Sequence, residues 1–174
     1  MDRNVQIIED FEKNKIVVIN DIIFKGKRKI SWDDVEVYLK AFIGEMYEII
    51  ETGDAVYIGK EFPDEFSSSM YSSKLKGTLS KAKANAAQAI PEMIEIASEK
   101  RFVENYKRKH RRDAKYGWYR YDTRFALPIY NDFGYLERYN VFYATLIVRH
   151  SEDNKLYLYD VINIKKESST PPKL

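Results

Sequence analysis

Three long β-rich runs dominate the C-terminal half of the sequence and limit the folds that are open to it. The runs span residues 118–129, 139–150 and 155–164. They are rich in β-branched and aromatic residues, and turn-forming residues stand between them at 131–134 and 151–154. Strands joined by connections this short pair in the antiparallel sense. The sequence therefore predicts a C-terminal β meander.

The first 60 residues predict a β-α-β-β order. Alternating apolar residues over 5–24 indicate a hairpin or two short strands around the turn-like Asn20-Asp21. Apolar residues at helical spacing follow Ser31, a typical N-cap, and continue to Gly44, a typical stop. The segments 46–50 and 55–58 then predict two strands joined by a turn.

The middle of the chain combines a predicted loop with predicted helices. Residues 59–80, rich in serine with Pro63 and Gly77, predict a long loop and a candidate mobile flap. Residues 81–90 favour a helix, which Pro91 either kinks or follows with a new helix. The basic segment after it is expected to continue helically to about His110, and the residues from 165 to 174 to form a tail or short cap.

These elements predict the fold class α+β, with an N-terminal β-α-β-β portion followed by helices packed on a C-terminal antiparallel β meander. A length of 174 residues fits a single domain over 1–174. Within it, residues 1–60 form an accessory portion. No apolar run approaches the roughly 18 residues of a membrane span, and no charged-then-apolar leader precedes the first strand. A cytoplasmic protein, or one delivered by another component, is expected, with no membrane partner.

The charge distribution is uneven, although the net charge is only +2. Residues 1–64 sum to −5 and residues 65–174 to +7. The segment 101–124 holds nine Lys and Arg against three acidic residues. An anion is expected to bind there first, so RNA or another polyanion is the expected partner, with an acidic host protein as a further possibility.

Several classes of chemistry lack support in the residues. The chain has no cysteine, which removes disulfides, thiolate metal sites and thiol nucleophiles. No phosphate loop, dinucleotide fingerprint, nucleophile elbow or zinc-protease motif is present. The acidic residues of the C-terminal half are scattered, which disfavours a two-metal site. We therefore expect no cofactor and no metal.

His110 is the histidine with the clearer functional context. It lies in the run Lys107-Arg108-Lys109-His110-Arg111-Arg112, where neighbouring cations favour the neutral ring that accepts a proton. Such a ring serves as a general base on a ribose 2′-hydroxyl. The alternative is a solvated basic face in which His110 is incidental. His150 closes a strand, where capping of the sheet edge is the simpler interpretation.

The segment 116–125 divides into two faces if it is a strand. Trp118, Arg120, Asp122 and Arg124 share one face, and the intervening residues share the other. Guanidinium groups bind phosphate and an indole stacks on a base, so the first face suits RNA. The alternative is an aromatic cross-strand ladder with an Arg–Asp pair.

Three stretches, Lys109-His110, 114–120 and the closing run 156–167, resemble phage and conjugative-element polyvalent-protein-associated domains. Those domains are similar to the ribonuclease superfamily that groups barnase, EndoU, colicin-type and RelE-type toxins. The resemblance covers residues 80–170. It implies metal-independent cleavage of RNA through a 2′,3′-cyclic phosphate. It nominates as catalytic His110, Arg120, Arg124 and a hydroxyl from Ser169 or Thr170. The basic segment and the Trp118 face separately predict RNA contacts from Lys107, Arg108, Lys109, Arg111, Arg112 and Trp118. A non-enzymatic factor that binds nucleic acid or protein through the same surface is the alternative.

Overall fold

The structure is a computed structural model that describes residues 3–26, 29–105 and 110–170, with the backbone alone for 168–170. The strands of the described residues are β1 (Val5–Glu9), β2 (Lys15–Ile19), β3 (Met46–Glu48), β4 (Ala55–Tyr57), β5 (Ser98–Val103), β6 (Trp118–Tyr130), β7 (Leu136–His150) and β8 (Leu156–Thr170). The helices are α1 (Trp32–Leu39), α2 (Phe62–Ser68), α3 (Met70–Lys74), α4 (Gly77–Ala86) and α5 (Ile90–Glu95). Short 3₁₀ turns at Lys40–Phe42 and Ala87–Ala89 extend α1 and join α4 to α5.

All eight strands belong to one curled sheet, ordered β1-β2-β6-β7-β8-β4-β3. The strands β6, β7 and β8 form an antiparallel meander, which confirms the α+β prediction. Two N-terminal strands add to its edges in the parallel sense, β2 beside β6 and β4 beside β8. The strand β5 also pairs with β6, toward the start of that strand. The N-terminal portion therefore extends the sheet on both sides.

One apolar core joins the helices to the sheet. The side chains of Tyr121 and Phe125 on β6 are fully buried, and Phe125 stacks on Phe142 of β7 with ring centroids 5.3 Å apart. Phe62 and Phe66 of α2 belong to the same core. The predicted division of β6 into faces is confirmed, because Tyr121, Thr123 and Phe125 are buried while the alternate residues are half-buried.

The prediction of a loop over 59–80 is wrong, because the segment holds α2, α3 and the start of α4. Pro63 stands in the first turn of α2, where its missing N–H costs nothing. Ser69 caps α3 by accepting a hydrogen bond from the backbone N–H of Ser72. The Ser72 hydroxyl donates to the carbonyl of Phe66. The serines therefore cap and join helices, instead of marking a flexible flap.

Long-range strand pairing explains the other differences from the sequence-based expectations. The basic segment does not continue the helices, because residues 98–103 pair with β6 as β5. Residues 165–170 are not a tail, since β8 extends to Thr170 beside β7. The first hairpin turns at Asp10–Asn14, not at Asn20-Asp21, and Ile22–Phe24 lie outside the strands. The α1 helix, the β3–β4 pair and a new helix at Pro91 are as predicted. None of the described helices has the length and apolar character needed to cross a bilayer.

Candidate functional site

A cleft of about 480 Å³ opens where the first residues of β6 meet α2, α3 and β8. It brings together ionisable and aromatic side chains from four parts of the chain. Its lining consists of Glu65, Ser69, Met70, Tyr71, Val103, Glu104, Asn105, His110, Trp118, Arg120, Ile147, Tyr159 and Asp160. Three of the predicted site residues, His110, Trp118 and Arg120, are therefore in one cleft.

His110 is held at the cleft by the turn that leads into β6. The side-chain amide of Asn105 donates to the carbonyl oxygens of His110 and Ala114, which closes the turn. Asp113 lies 2.9 Å from Nδ1 of His110. A carboxylate accepts a hydrogen bond, so Nδ1 carries the proton and the lone pair of the neutral ring is on Nε2. The turn thus builds an oriented histidine–carboxylate pair.

Two aromatic rings enclose the imidazole, which is only 7% exposed. The ring of Trp118 meets it edge to face at 4.9 Å between centroids, and the ring of Tyr159 does so at 5.4 Å. Trp118 and Tyr159 also contact each other at 5.0 Å. The three rings form the apolar wall of the cleft, and Trp118 remains half-buried at its surface.

Arg120 is a cation of the cleft lining that has no ion-pair partner among the described residues. Its guanidinium makes no hydrogen bond or ion pair within the described residues, and the residue is half-buried. Register places it in one row across the meander with Ile147 and Asp160. A half-buried guanidinium with free donors is well suited to an oxyanion or phosphate.

Glu65 of α2 is a further ionisable group of the cleft, which Glu104 and Asp160 also line. The carboxylate of Glu65 lies near the hydroxyl of Tyr159. Burial, and then the nearby charge and hydrogen bond of Glu65, raise the pKa of Tyr159 far above its usual value, so the phenol keeps its proton. Tyr159 therefore stays neutral beside Glu65 and does not compete with it as a base.

A buried ion pair supports the floor of the cleft. The Nζ atom of Lys83 lies 2.7 Å from Oδ1 of Asp160, and the two side chains are 0% and 4% exposed. Lys83 also donates to the Ser72 hydroxyl. Burial raises the pKa of Asp160 and lowers that of Lys83, while the attraction between them opposes both changes. This pair links α3, α4 and β8 behind the cleft.

The structure does not bring the other nominated catalytic residues to this cleft. Arg124 lies four residues beyond Arg120 on the same face of β6. Its Nη1 atom hydrogen-bonds Asp10, and its Nε and Nη2 atoms hydrogen-bond Glu167. The backbone of Ser169 and Thr170 pairs with Asn140 and Tyr139. At about 3.3 Å per residue, those positions are roughly 30 Å from the cleft end of the meander. The prediction that Arg124, Ser169 and Thr170 share one site with His110 is therefore wrong.

The proposed nucleic-acid contacts are only partly described. Arg111 and Arg112 are exposed in the turn that carries His110, so they flank the cleft. Lys107, Arg108 and Lys109 lie outside the described residues. In the portion of the chain that the structure describes, no group of three or more His, Asp or Glu side chains is placed to hold a metal ion.

Sequence reasoning missed Glu65, Asp113 and Tyr159. A signal existed for Asp113, since it follows His110 at the i, i+3 spacing of a helical turn. Glu65 was hidden by the loop expected for 59–80, and its partner Tyr159 is 94 positions away. Only the packing of α2 against β8 joins them.

Comparisons with known proteins add no identification. The chain matches no protein-family model, no curated protein and no solved structure. The fold and the site therefore define the protein as an α+β domain. A cleft that contains a histidine and an arginine lies at one end of its meander.

Proposed function

We propose that this cleft is the active site of a metal-independent endoribonuclease, which cleaves RNA to 2′,3′-cyclic phosphate ends. The observation that carries the proposal is that His110, Glu65 and Arg120 line one cleft beside exposed cations, and that Arg120 has no ion-pair partner in the described part of the chain. Proton transfer and charge stabilisation are the two requirements of this reaction. The same proposal includes three further points: membership of the superfamily of barnase, EndoU, colicin-type and RelE-type ribonucleases, a mobile-element origin, and a cytoplasmic location.

The chemistry follows from the roles available to each group. One member of the Glu65 and His110 pair removes the proton of the ribose 2′-hydroxyl, and O2′ attacks the adjacent phosphorus. The bond from phosphorus to O5′ breaks, and the other member of the pair donates a proton to O5′. Arg120 stabilises the charge that grows on the non-bridging oxygens. Asp113 orients His110, and Trp118 provides a face on which a base stacks.

The test uses a labelled single-stranded RNA of mixed sequence in EDTA, with the matching DNA as a second substrate. We expect cyclic-phosphate ends on RNA and intact DNA, because the attacking group is the 2′-hydroxyl. Glu65→Gln and His110→Ala should each lower the rate by about 10²-fold or more. Arg120→Ala should lower it by about 10²- to 10³-fold.

Two variants serve as matched controls. His150 lies outside the cleft lining and Glu61 is the exposed residue four positions before Glu65. His150→Ala and Glu61→Gln should therefore keep the rate of the parent protein. Far-UV circular dichroism and melting temperature must match the parent for every variant. Loss of activity in EDTA, or full activity in His110→Ala, would contradict the proposal.

A second function is favoured by the burial of the imidazole. His110 is 7% exposed between Trp118 and Tyr159, an arrangement that also suits a packed structural ring. A non-enzymatic factor would then use Arg111, Arg112 and Arg120 to bind nucleic acid or an acidic protein. Salt-sensitive RNA binding without cleavage of any substrate would select this function.

A further inference from the structure

A second concave site lies away from the cleft, between the segment that follows β2 and the beginning of α4. Its volume is about 480 Å³. Its lining comprises Lys25, Gly26, Lys29, Ile30, Leu75, Lys76, Gly77, Ser80 and Lys81, none of which lines the first cleft. We call it the lysine pocket. Four of its residues are lysines, and no carboxylate is among its described lining.

The four lysines are exposed and uncompensated. None of Lys25, Lys29, Lys76 and Lys81 takes part in an ion pair within the described residues. They come from two separate segments of the chain and converge on one pocket. Four cations around one concavity attract an anion into it, and the anion reduces the repulsion between them.

Polar groups inside the pocket add donors to these charges. The residue Ser80 is 7% exposed, lines the pocket and has no hydrogen-bond partner for its hydroxyl within the described residues. The helix α4 begins at Gly77 with no side-chain cap and no acidic residue in its first turn. Its first backbone N–H groups therefore have no side-chain cap among the described residues, and they carry the positive end of the helix dipole. A hydroxyl without a partner and uncapped N–H groups are typical ligands of phosphate oxygens.

The pocket is also held in place by buried amides. The side-chain oxygen of Asn85 accepts hydrogen bonds from the backbone N–H groups of Ile23 and Phe24, and its amide donates to the carbonyls of Phe24 and Lys81. Asn85 is fully buried. It thereby ties the segment carrying Lys25 to the helix carrying Lys81. A pre-organised site loses less free energy on binding.

We propose that the lysine pocket binds a small anion with two or more adjacent phosphate groups. The proposal does not rest on the ribonuclease function. Four convergent cations match phosphates that lie close together, whereas a nucleic-acid backbone presents single phosphates along a line. The volume falls in the roughly 300–1,000 Å³ range of small-molecule sites.

The experiment is calorimetric titration of the purified chain with inorganic tripolyphosphate at low salt. We expect one saturable site, with bound anion raising the melting temperature because it binds the folded state alone. Replacing both Lys29 and Lys76 by Ala should weaken binding by about 30-fold or more, since each removes a charge-assisted hydrogen bond. Ser80→Ala should weaken it by about tenfold.

The matched control replaces Lys40 and Lys60, two exposed lysines outside the pocket. That variant loses the same net charge and should change the affinity by less than about threefold, the effect of diffuse charge alone. The proposal is overturned by an absence of saturable binding, or by equal weakening in the two lysine variants. It is also overturned if a single-stranded DNA oligomer binds the pocket more tightly than tripolyphosphate does.

Discussion

At the scale of single residues, Lys83 is the least expected side chain in the molecule. A lysine is almost never fully buried unless it is paired, and Lys83 satisfies that condition through Asp160 and Ser72. Its ammonium group also lies 4.5 Å from the ring centroid of Phe66. In the sequence it stands among alanines as an ordinary surface residue of a helix would. Its role becomes visible only when α4 is packed against β8.

We predict that Lys83→Met lowers the free energy of unfolding by about 3–5 kcal/mol, because it leaves the Asp160 carboxylate buried and unpaired. Urea unfolding followed by circular dichroism measures the change. Lys81→Met, on the exposed side of the same helix, should change stability by less than about 0.5 kcal/mol. Adding Asp160→Asn to Lys83→Met should recover much of the loss. A cost below about 1 kcal/mol for the single variant would show that the pair does not matter to stability.

At the scale of elements, Arg124 connects the β1–β2 hairpin to the end of β8. Its guanidinium lies 3.0 Å from Asp10 in the hairpin turn and 3.0 Å from Glu167. The hydrogen bond from Arg124, and the backbone N–H groups of Asn14 and Glu12, lower the pKa of Asp10. Arg124 therefore has a bridging role in the sheet, and the basic face of β6 is divided between this bridge and the cleft.

The bridge predicts a defined pH dependence. The pKa of Asp10 is lower in the folded than in the unfolded state, so its contribution is present above the unfolded value of about 3.9 and is lost as pH falls through the folded value. Arg124→Met should cost about 1 kcal/mol at pH 7, and this difference should shrink below about pH 4. Thermal unfolding at several pH values tests it.

Arg138→Met supplies the comparison for Arg124, because the ion pair that Arg138 forms among the described residues is with its exposed neighbour Glu137 on β7. Its cost should stay below about 0.5 kcal/mol at all pH values. A loss in Arg124→Met that is the same at pH 7 and pH 2 would contradict the role given to Asp10.

At the scale of the whole molecule, two cationic regions stand out among the described residues. One is the turn with Arg111 and Arg112 beside the first cleft, and the other is the lysine pocket. They occupy different parts of the fold and share no lining residue. Two of the four lysines of the pocket, Lys25 and Lys29, come from the acidic half of the sequence, so the count of charge by halves did not predict this pocket, and each region needs its own test.

We predict that the affinity for single-stranded nucleic acid falls steeply with salt, because bound cations release counterions from phosphates. Replacing Arg111 and Arg112 by Ala should reduce the slope of log affinity against log salt by about 1.4, at roughly 0.7 per phosphate contact. Fluorescence anisotropy with an uncleavable 2′-deoxy strand measures it. The Lys40 and Lys60 variant should retain the parent slope. An unchanged slope after loss of both arginines would remove this turn from the interface.

The sequence by itself determined the features that depend on local periodicity. The meander, the faces of β6 and the α1 helix follow from alternation, helical spacing and turn residues. Arg120 and Trp118 were correctly placed on one face for this reason. The same periodicity also put Arg124 on that face. Periodicity assigns a residue to a face, but it does not say which other element of the fold lies next to that residue.

Only the tertiary structure decided which of these residues meet. Glu65 and His110 line one cleft because α2 packs against β8. Ser169 is distant from both because the register of β7 with β8 places it at the opposite end of the sheet. The serines of 59–80 indicate a loop when they are considered alone, yet the burial of Phe62 and Phe66 stabilises helices there. Such contacts join residues far apart in the chain, and they depend on register and packing, which no local pattern encodes.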